Sequence, residues 1–254
     1  KAIAMIQTAR RPKAGERYFF GPYQAIVEKK EEEGWKLCFQ GVAVSKIMEE
    51  IGLPPLPPYI KRKGEERKQK EKEDRQRYQT VYARNPGSIA APTAGFHFTE
   101  HLLLEAKQKG VEVLYVTLHV GTGTFLPVKH EEIEQHQMHT ETYEILEDTA
   151  ARINLALKEK RRIIATGTTS CRTLEASGRN GEIVPGKGST NIYIYPGFSY
   201  KIIDALITNF HLPKSTLLLL VSAFAGKDLI MKAYQDAILQ KYRFFSYGDA
   251  MLIY

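Results

Sequence analysis

Cysteine is scarce in this 254-residue chain, where Cys38 and Cys171 are the only two and lie far apart. They do not have the short spacing of metal-ligand or cluster motifs, which argues against zinc fingers and iron–sulfur clusters. Because two thiols are too few for a disulfide framework, a reducing compartment and hence a cytoplasmic protein are expected.

Long hydrophobic runs are also missing. The longest, Leu217 to Ala225, is interrupted by Ser222 and is far short of the roughly 20 apolar residues that a membrane-spanning helix needs. We therefore expect no membrane association, and no signal peptide is recognisable. The chain begins at Lys1 rather than Met, so we expect that an N-terminal section is missing.

Positive charge is in excess, with a net charge of +7 and an isoelectric point of about 9.2. Such a balance favours an anionic partner, RNA first among them, although a merely basic surface is the alternative. The hydrophobic fraction of 43% and charged fraction of 26% are ordinary for a globular protein with one or two domains.

The pattern of short strands and helices divides the chain in two. Four short strands are predicted near the N-terminus, at Ala2–Ile6, Arg17–Phe20, Tyr23–Glu28 and Trp35–Phe39. Candidate helices follow at 99–109, 147–159, 171–177 and 227–241, and candidate strands at 111–118, 162–167, 191–195 and 202–208. We predict an α/β domain over 57–254 with a second, smaller antiparallel β-barrel domain over 1–56, joined at the proline-rich segment 54–58.

Several loops carry side chains suited to ligand binding. The segment 90–128 frames one helix and one strand with His97 and Thr99 at one edge and His119, Thr122 and Thr124 at another. Loops held by a rigid scaffold are common binding sites. The Gly-Thr-Gly-Thr sequence at 121–124 resembles a nucleotide loop but lacks the full dinucleotide fingerprint, so a tight turn is the alternative.

Two further loops follow predicted strands, and ligands of α/β sheets bind at such strand ends. The hydroxyls of Thr168, Thr169 and Ser170 precede a predicted helix, where they bind an anion or where Thr169 or Ser170 simply caps the helix. On that helix, Arg172 and Glu175 share a face, and pairing with each other is the alternative to a ligand contact for Arg172. The segment 209–216 offers an amide, an imidazole, an ammonium and two hydroxyls.

The histidines have two alternative roles. His136 and His139 lie beside Glu134 and Glu141, but the His-Glu-x-x-His order is absent and no third ligand is placed, so no metal is predicted. Proton transfer or substrate hydrogen bonding suits an imidazole better, against the alternative of structural histidines.

The charge run from Lys61 to Arg77 has acid–base pairs at helical spacing, typical of a solvated helix or an RNA-backbone contact.

Seven ordered motifs together resemble the S-adenosylmethionine:tRNA ribosyltransferase-isomerase family of queuosine biosynthesis. They are APTAGFHFTE, TLHVGTGTF, EQHQMHTETYEI, ATGTTSCRTLEA, IYPG, ITNFHLPKSTLLLLVSAFAG and YRFFSYGDAMLI. The resemblance runs from about Leu56 to Tyr254, with residues 1–53 fitting the family's β-barrel region less sharply. It implies an α/β domain paired with a barrel, and a further section upstream of this chain.

The resemblance also implies the reaction. The family moves the ribosyl moiety of S-adenosylmethionine onto 7-aminomethyl-7-deazaguanine at the wobble position of tRNA and isomerises it, giving epoxyqueuosine tRNA, adenine and methionine. S-adenosylmethionine is thus a ribosyl-donor substrate, and neither a cofactor nor a metal is required. The implied partners are S-adenosylmethionine and tRNA carrying the modified base, and a monomer is expected.

Such a reaction needs a base, a donor that helps adenine leave, and a groove for an unstacked base. The candidates for proton transfer are His97, His119, His136 and His211. The candidates for ligand hydrogen bonds are Thr93, Thr122, Thr124, Thr168, Thr169 and Asn209. Phe98 and Tyr195 are expected to stack, Glu141 to orient an imidazole or meet the sulfonium, and Arg172 and Lys214 to meet a carboxylate or phosphate.

Two other functions stay open: an S-adenosylmethionine-dependent methyltransferase using the loop at Gly121, and a non-catalytic RNA-binding module. The absence of the dinucleotide-type fingerprint weighs against the first, and the clustered His and Thr side chains would be superfluous in the second. The ribosyltransferase hypothesis makes one geometric prediction. The turns at 93–99, 119–125, 168–170 and 209–216 should converge on a single cavity sized for a sulfonium nucleoside.

Overall fold

The structure, a computed structural model, describes residues 1–32, 34–62, 64–65, 67–121, 133–136 and 138–254. Its helices are α1 Val44–Ile51, α2 Arg67–Arg77, α3 Glu100–Gln108, α4 Glu147–Lys158, α5 Thr168–Ser177, α6 Thr216–Ala225 and α7 Lys227–Leu239. Its strands are β1 Ala2–Ala4, β2 Arg17–Phe20, β3 Tyr23–Glu31, β4 Gly34–Phe39, β5 Thr117–His119, β6 Glu141–Ile145, β7 Ile164–Thr166, β8 Gly186–Thr190, β9 Ala205–Asn209 and β10 Ala250–Ile253. The chain divides into two compact units, Lys1–Pro54 with Arg67–Asp74 and Pro55–Glu66 with Arg75–Tyr254.

The first unit contains one antiparallel sheet in the order β1-β4-β3-β2. Ala25 and Val27 of β3 and Leu37 of β4 are buried at its centre, as expected when alternate residues of a strand face the same side. The predicted antiparallel sheet is therefore confirmed. In the part of the chain that the structure describes, β1 and β2 are open edges, so closure into a barrel stays a prediction.

The second unit contains two three-stranded sheets, in the orders β10-β9-β7 and β5-β6-β8. Strands β7 and β9 are parallel, with Ile164 opposite Ala205, while β10 runs antiparallel to β9. Every residue of β9 except Ile207 is buried, as is typical of a strand covered on both faces. Leu206 and, on α6, Leu220 and Val221 are among the large buried side chains of this core.

Two predicted strands are wrong in position. Of the segment 111–118, only Thr117 and Leu118 lie in a strand, which is β5 Thr117–His119. In place of 191–195, the strand is Gly186–Thr190, which pairs with β6. The alternation that misled the prediction is real, because Ile192 and Ile194 are buried. It reflects packing into the core rather than ladder pairing.

Helix boundaries follow capping side chains. Thr99 Oγ1 accepts the Leu102 N–H at 3.1 Å, which confirms Thr99 as the cap of α3. The apolar run was not predicted to be a helix, yet it forms α6, where Ser215 Oγ accepts the Leu218 N–H at 3.2 Å. In the charge run, Arg67 and Glu71 pair one helical turn apart on α2. None of the helices in the described ranges is both long and apolar enough to cross a membrane.

Candidate active site

A cavity of about 390 Å³ lies in the second unit, where the parallel strands β7 and β9 end. This volume is within the range of roughly 300–1,000 Å³ that is usual for small-molecule sites. The candidate residues that line it are Thr93, Thr168, Thr169, Asn209, His211 and Lys214. From the turn at 119–125, Val120 also lines the cavity. The candidates Thr122 and Thr124 lie outside the described residues.

Asn209 connects two of the turns. Thr93 Oγ1 donates to Asn209 Oδ1 at 2.9 Å, and Asn209 Nδ2 lies 3.5 Å from His97 Nε2. Asn209 is buried, so its amide orientation is fixed by the turn Thr93–His97 on one side and the end of β9 on the other. His97 is exposed and is not among the lining residues.

His211 follows β9 and is held at two points. Its Nε2 lies 3.0 Å from Thr208 Oγ1, and its backbone N–H donates to Tyr234 Oη at 2.7 Å. Burial lowers the pKa of His211 to about 4, because an apolar environment disfavours the imidazolium. The imidazole is therefore neutral near pH 7 and able to accept a proton.

The start of α5 offers a site for negative charge. Gly167, with φ +88°, allows the sharp turn from β7 into the helix. Thr168 is only 8% exposed and lines the cavity. The N-terminal N–H groups of a helix attract anions. Lys214, exposed and with φ +56°, adds an ammonium group at the same cavity.

One group of lining residues was missed by the sequence analysis. Tyr59, Tyr78, Phe245 and Ser246 come from segments distant in sequence, yet all four line the cavity. Phe245 and Ser246 belong to the aromatic-rich motif YRFFSYGDAMLI, which was recognised as a family feature but not as part of a site.

Arg172 and Glu141 do not line the cavity. They form a buried ion pair between α5 and the start of β6, and each is 3% exposed. The alternative in which Arg172 pairs with Glu175 is wrong, because its partner is Glu141. Glu175 instead accepts the backbone N–H groups of Lys201, Ile202 and Ile203 at 2.9–3.0 Å. Both acidic side chains thus fasten loops or strands onto α5.

The remaining candidates also lie apart from the lining residues. His119 Nδ1 is buried without a hydrogen-bond partner in the described part of the chain. The His136 ring lies 5.3 Å from that of Tyr193, and Tyr195 packs on the same tyrosine at 4.9 Å. Phe98 follows the turn that ends at His97. Across the described ranges, no three His, Cys, Asp or Glu side chains are grouped to hold a metal ion.

Comparison with known proteins gives consistent results. The family model described as "Queuosine biosynthesis protein" matches residues 1–253. S-adenosylmethionine:tRNA ribosyltransferase-isomerases from Carboxydothermus hydrogenoformans and Francisella philomiragia are 51% and 50% identical, over 98% of this chain and 72% of their own lengths. A crystal structure of an S-adenosylmethionine tRNA ribosyltransferase from Thermotoga maritima is 35% identical, with a TM-score of 0.54. The match covers 95% of this chain and 66% of that one.

Proposed function

Because the chain belongs to the queuosine biosynthesis protein family, as its motifs predicted, we propose that it is an S-adenosylmethionine:tRNA ribosyltransferase-isomerase. It moves the ribosyl moiety of S-adenosylmethionine onto 7-aminomethyl-7-deazaguanine at the tRNA wobble position and isomerises it. The products are epoxyqueuosine tRNA, adenine and methionine. The observation that carries the proposal is the meeting of Thr93, Thr168, Asn209 and His211 at one cavity.

His211 suits the role of the base. The positive sulfonium acidifies the adjacent carbon of S-adenosylmethionine, and the neutral imidazole in the cavity can take the released proton. Its low pKa makes it a weak base but keeps it unprotonated across the physiological range. His97, His119 and His136 stay candidates for proton transfer, although they are not among the lining residues. Of these, His97 contacts the amide of the lining residue Asn209.

The anion-attracting end of α5 suits the carboxylate of the methionine moiety. Thr168 and Thr169 stand at that end, and the helix dipole favours a negative group there. Lys214 is free to meet either this carboxylate or a tRNA phosphate, because its side chain is exposed. The amide of Asn209 and the hydroxyl of Thr93 supply further polar groups for the nucleoside.

The substrate, compartment, partner and domain boundary are proposed together with this activity. S-adenosylmethionine is consumed as a substrate and no cofactor is invoked. The reaction is placed in the cytoplasm with tRNA, the net charge of +7 aids tRNA binding, and the protein acts as a monomer. Arg172 and Glu141 support the cavity as a buried pair. The sheet of the first unit is proposed to be part of a β-barrel, with the boundary at the proline-rich segment.

Incubation with S-adenosylmethionine and precursor tRNA tests the proposal. We expect release of adenine and a nucleoside whose mass matches epoxyqueuosine, and no product with tRNA that carries an unmodified wobble guanine. Formation of S-adenosylhomocysteine would instead identify a methyltransferase. Tight tRNA binding without consumption of S-adenosylmethionine would identify an RNA-binding module, and either result would overturn the proposal.

A further inference from the structure

The missed wall of the cavity, formed by Tyr59, Tyr78, Phe245 and Ser246, combines ring faces with hydroxyls. Tyr59 Oη and Ser246 Oγ lie 2.5 Å apart, and Tyr78 Oη donates to the same Ser246 oxygen at 3.4 Å. Ser246 is only 7% exposed. Two aromatic hydroxyls therefore converge on one buried serine at the cavity surface.

The rings of this wall are also arranged together. The centroids of Tyr59 and Phe245 are 5.2 Å apart with an interplanar angle of 50°, a favourable geometry for an aromatic pair. Tyr59 is partly exposed and Phe245 half-buried, so neither ring is consumed by the core. Accessible ring faces of this kind suit contact with a planar heterocycle.

Phe245 is held in an unusual backbone conformation. Its φ is +70°, a left-handed value that is rare for a bulky residue and strains the backbone. The turn is fixed because the Phe245 N–H donates to the Phe210 carbonyl at 3.0 Å and the Gly248 N–H donates to the Phe245 carbonyl at 3.0 Å.

The location of this strain is informative. Among the residues that the structure describes, four non-glycine residues have positive φ. Lys160 and Lys241 come just after the ends of α4 and α7, where left-handed residues commonly terminate helices. The other two, Lys214 and Phe245, line the cavity. Strained backbone that surrounding contacts maintain is typical of positions that present a side chain to a ligand.

We infer that Tyr59, Phe245 and Ser246 form the part of the cavity that recognises a purine-type base, with the rings against its face and the hydroxyls at its edge. This inference rests on the proposed function, which supplies two such bases. One is the adenine of S-adenosylmethionine and the other is the 7-deazaguanine of the tRNA. Aromatic side chains stack on either, and hydroxyls bond the base edge.

Substitution of Tyr59 tests the inference with the folded protein. Tyr59→Leu removes the ring and Tyr59→Phe removes only the hydroxyl. Ser246→Ala removes the hydroxyl that both tyrosines contact. Tyr254→Leu is the matched control, because Tyr254 is 86% exposed and does not line the cavity. Thermal unfolding shows whether each variant is folded. If Ser246→Ala does not fold, the two Tyr59 variants still test the inference.

Two affinities are measured: the Kd for S-adenosylmethionine by calorimetry without tRNA, and the KM for precursor tRNA. Tyr59→Leu should weaken one of them by about 5- to 150-fold, since stacking on one base is worth roughly 1–3 kcal/mol. Tyr59→Phe should have a smaller effect. A change in the S-adenosylmethionine Kd assigns the wall to adenine, and a change in the tRNA KM assigns it to the wobble base.

Unchanged affinities for both substrates in folded Tyr59→Leu would overturn the inference. Failure of the proposed function is a separate outcome, because the wild-type protein would then release no adenine from S-adenosylmethionine. In that case calorimetry with adenosine and with 7-deazaguanosine still decides, because wild-type binding that Tyr59→Leu weakens supports a purine site. Absence of wild-type binding to either nucleoside would overturn it.

Discussion

Replacement of Arg172 by Met should destabilise the protein strongly without removing a cavity contact. Arg172 and Glu141 are each only 3% exposed, and their side chains pair directly. Removal of one partner leaves the other charge in a poorly solvated site. Breaking such a pair costs about 3–5 kcal/mol, whereas replacing both partners with apolar residues is often close to neutral.

Equilibrium urea unfolding measures this effect. Arg172→Met should lose about 3–5 kcal/mol, and the double variant Arg172→Met with Glu141→Leu should recover most of it. Arg161→Met is the control, because Arg161 pairs with Glu112 and Glu159 at the surface and exposed pairs contribute little. The reasoning is refuted if Arg172→Met loses no more than Arg161→Met, or if the double variant is as unstable as the single one.

The remaining predictions concern three other side chains. The unfolded state protonates His211 near pH 6.5 and the folded state only near pH 4, so stability should fall by about 3 kcal/mol as the pH drops through this interval. Urea unfolding at pH 7 and pH 4.5 should show a smaller fall for His211→Gln, and an equal fall would contradict the assignment. Glu175→Ala leaves three backbone N–H groups without their acceptor and should lower the free energy of unfolding by about 3 kcal/mol in the same assay. Glu182→Ala, at an exposed position, is the control and should change it little. Asn209→Ala should lower kcat/KM for adenine release by about 10²-fold, a typical loss for one fixed donor, and unchanged turnover would exclude its role.

The position of the cavity was accessible from sequence because local signals and a general topological rule agree. Thr168 follows strand β7, and Asn209 ends β9. These strands are parallel neighbours, so the loops that follow them leave the same edge of the sheet. Residues carried by such loops were therefore identifiable before their three-dimensional arrangement was known.

The aromatic wall and the buried pairs were not accessible in this way. The contact between Tyr59 and Ser246 joins residues 187 positions apart, and no periodicity encodes it. In the sequence, Arg172 has two candidate partners of similar chemistry, Glu141 and Glu175. Helical spacing favoured the local one, whereas tertiary packing gave Glu175 three backbone donors and left Glu141 as the partner.

The most direct measurement is a crystal structure of the protein with S-adenosylmethionine bound, refined to show the nucleoside and the methionine moiety. We predict electron density for the ligand within the cavity, with its carboxylate at Thr168 and its sulfonium within reach of the His211 imidazole. Density for the ligand elsewhere, with the space between Thr93 and His211 filled only by solvent, would contradict the account.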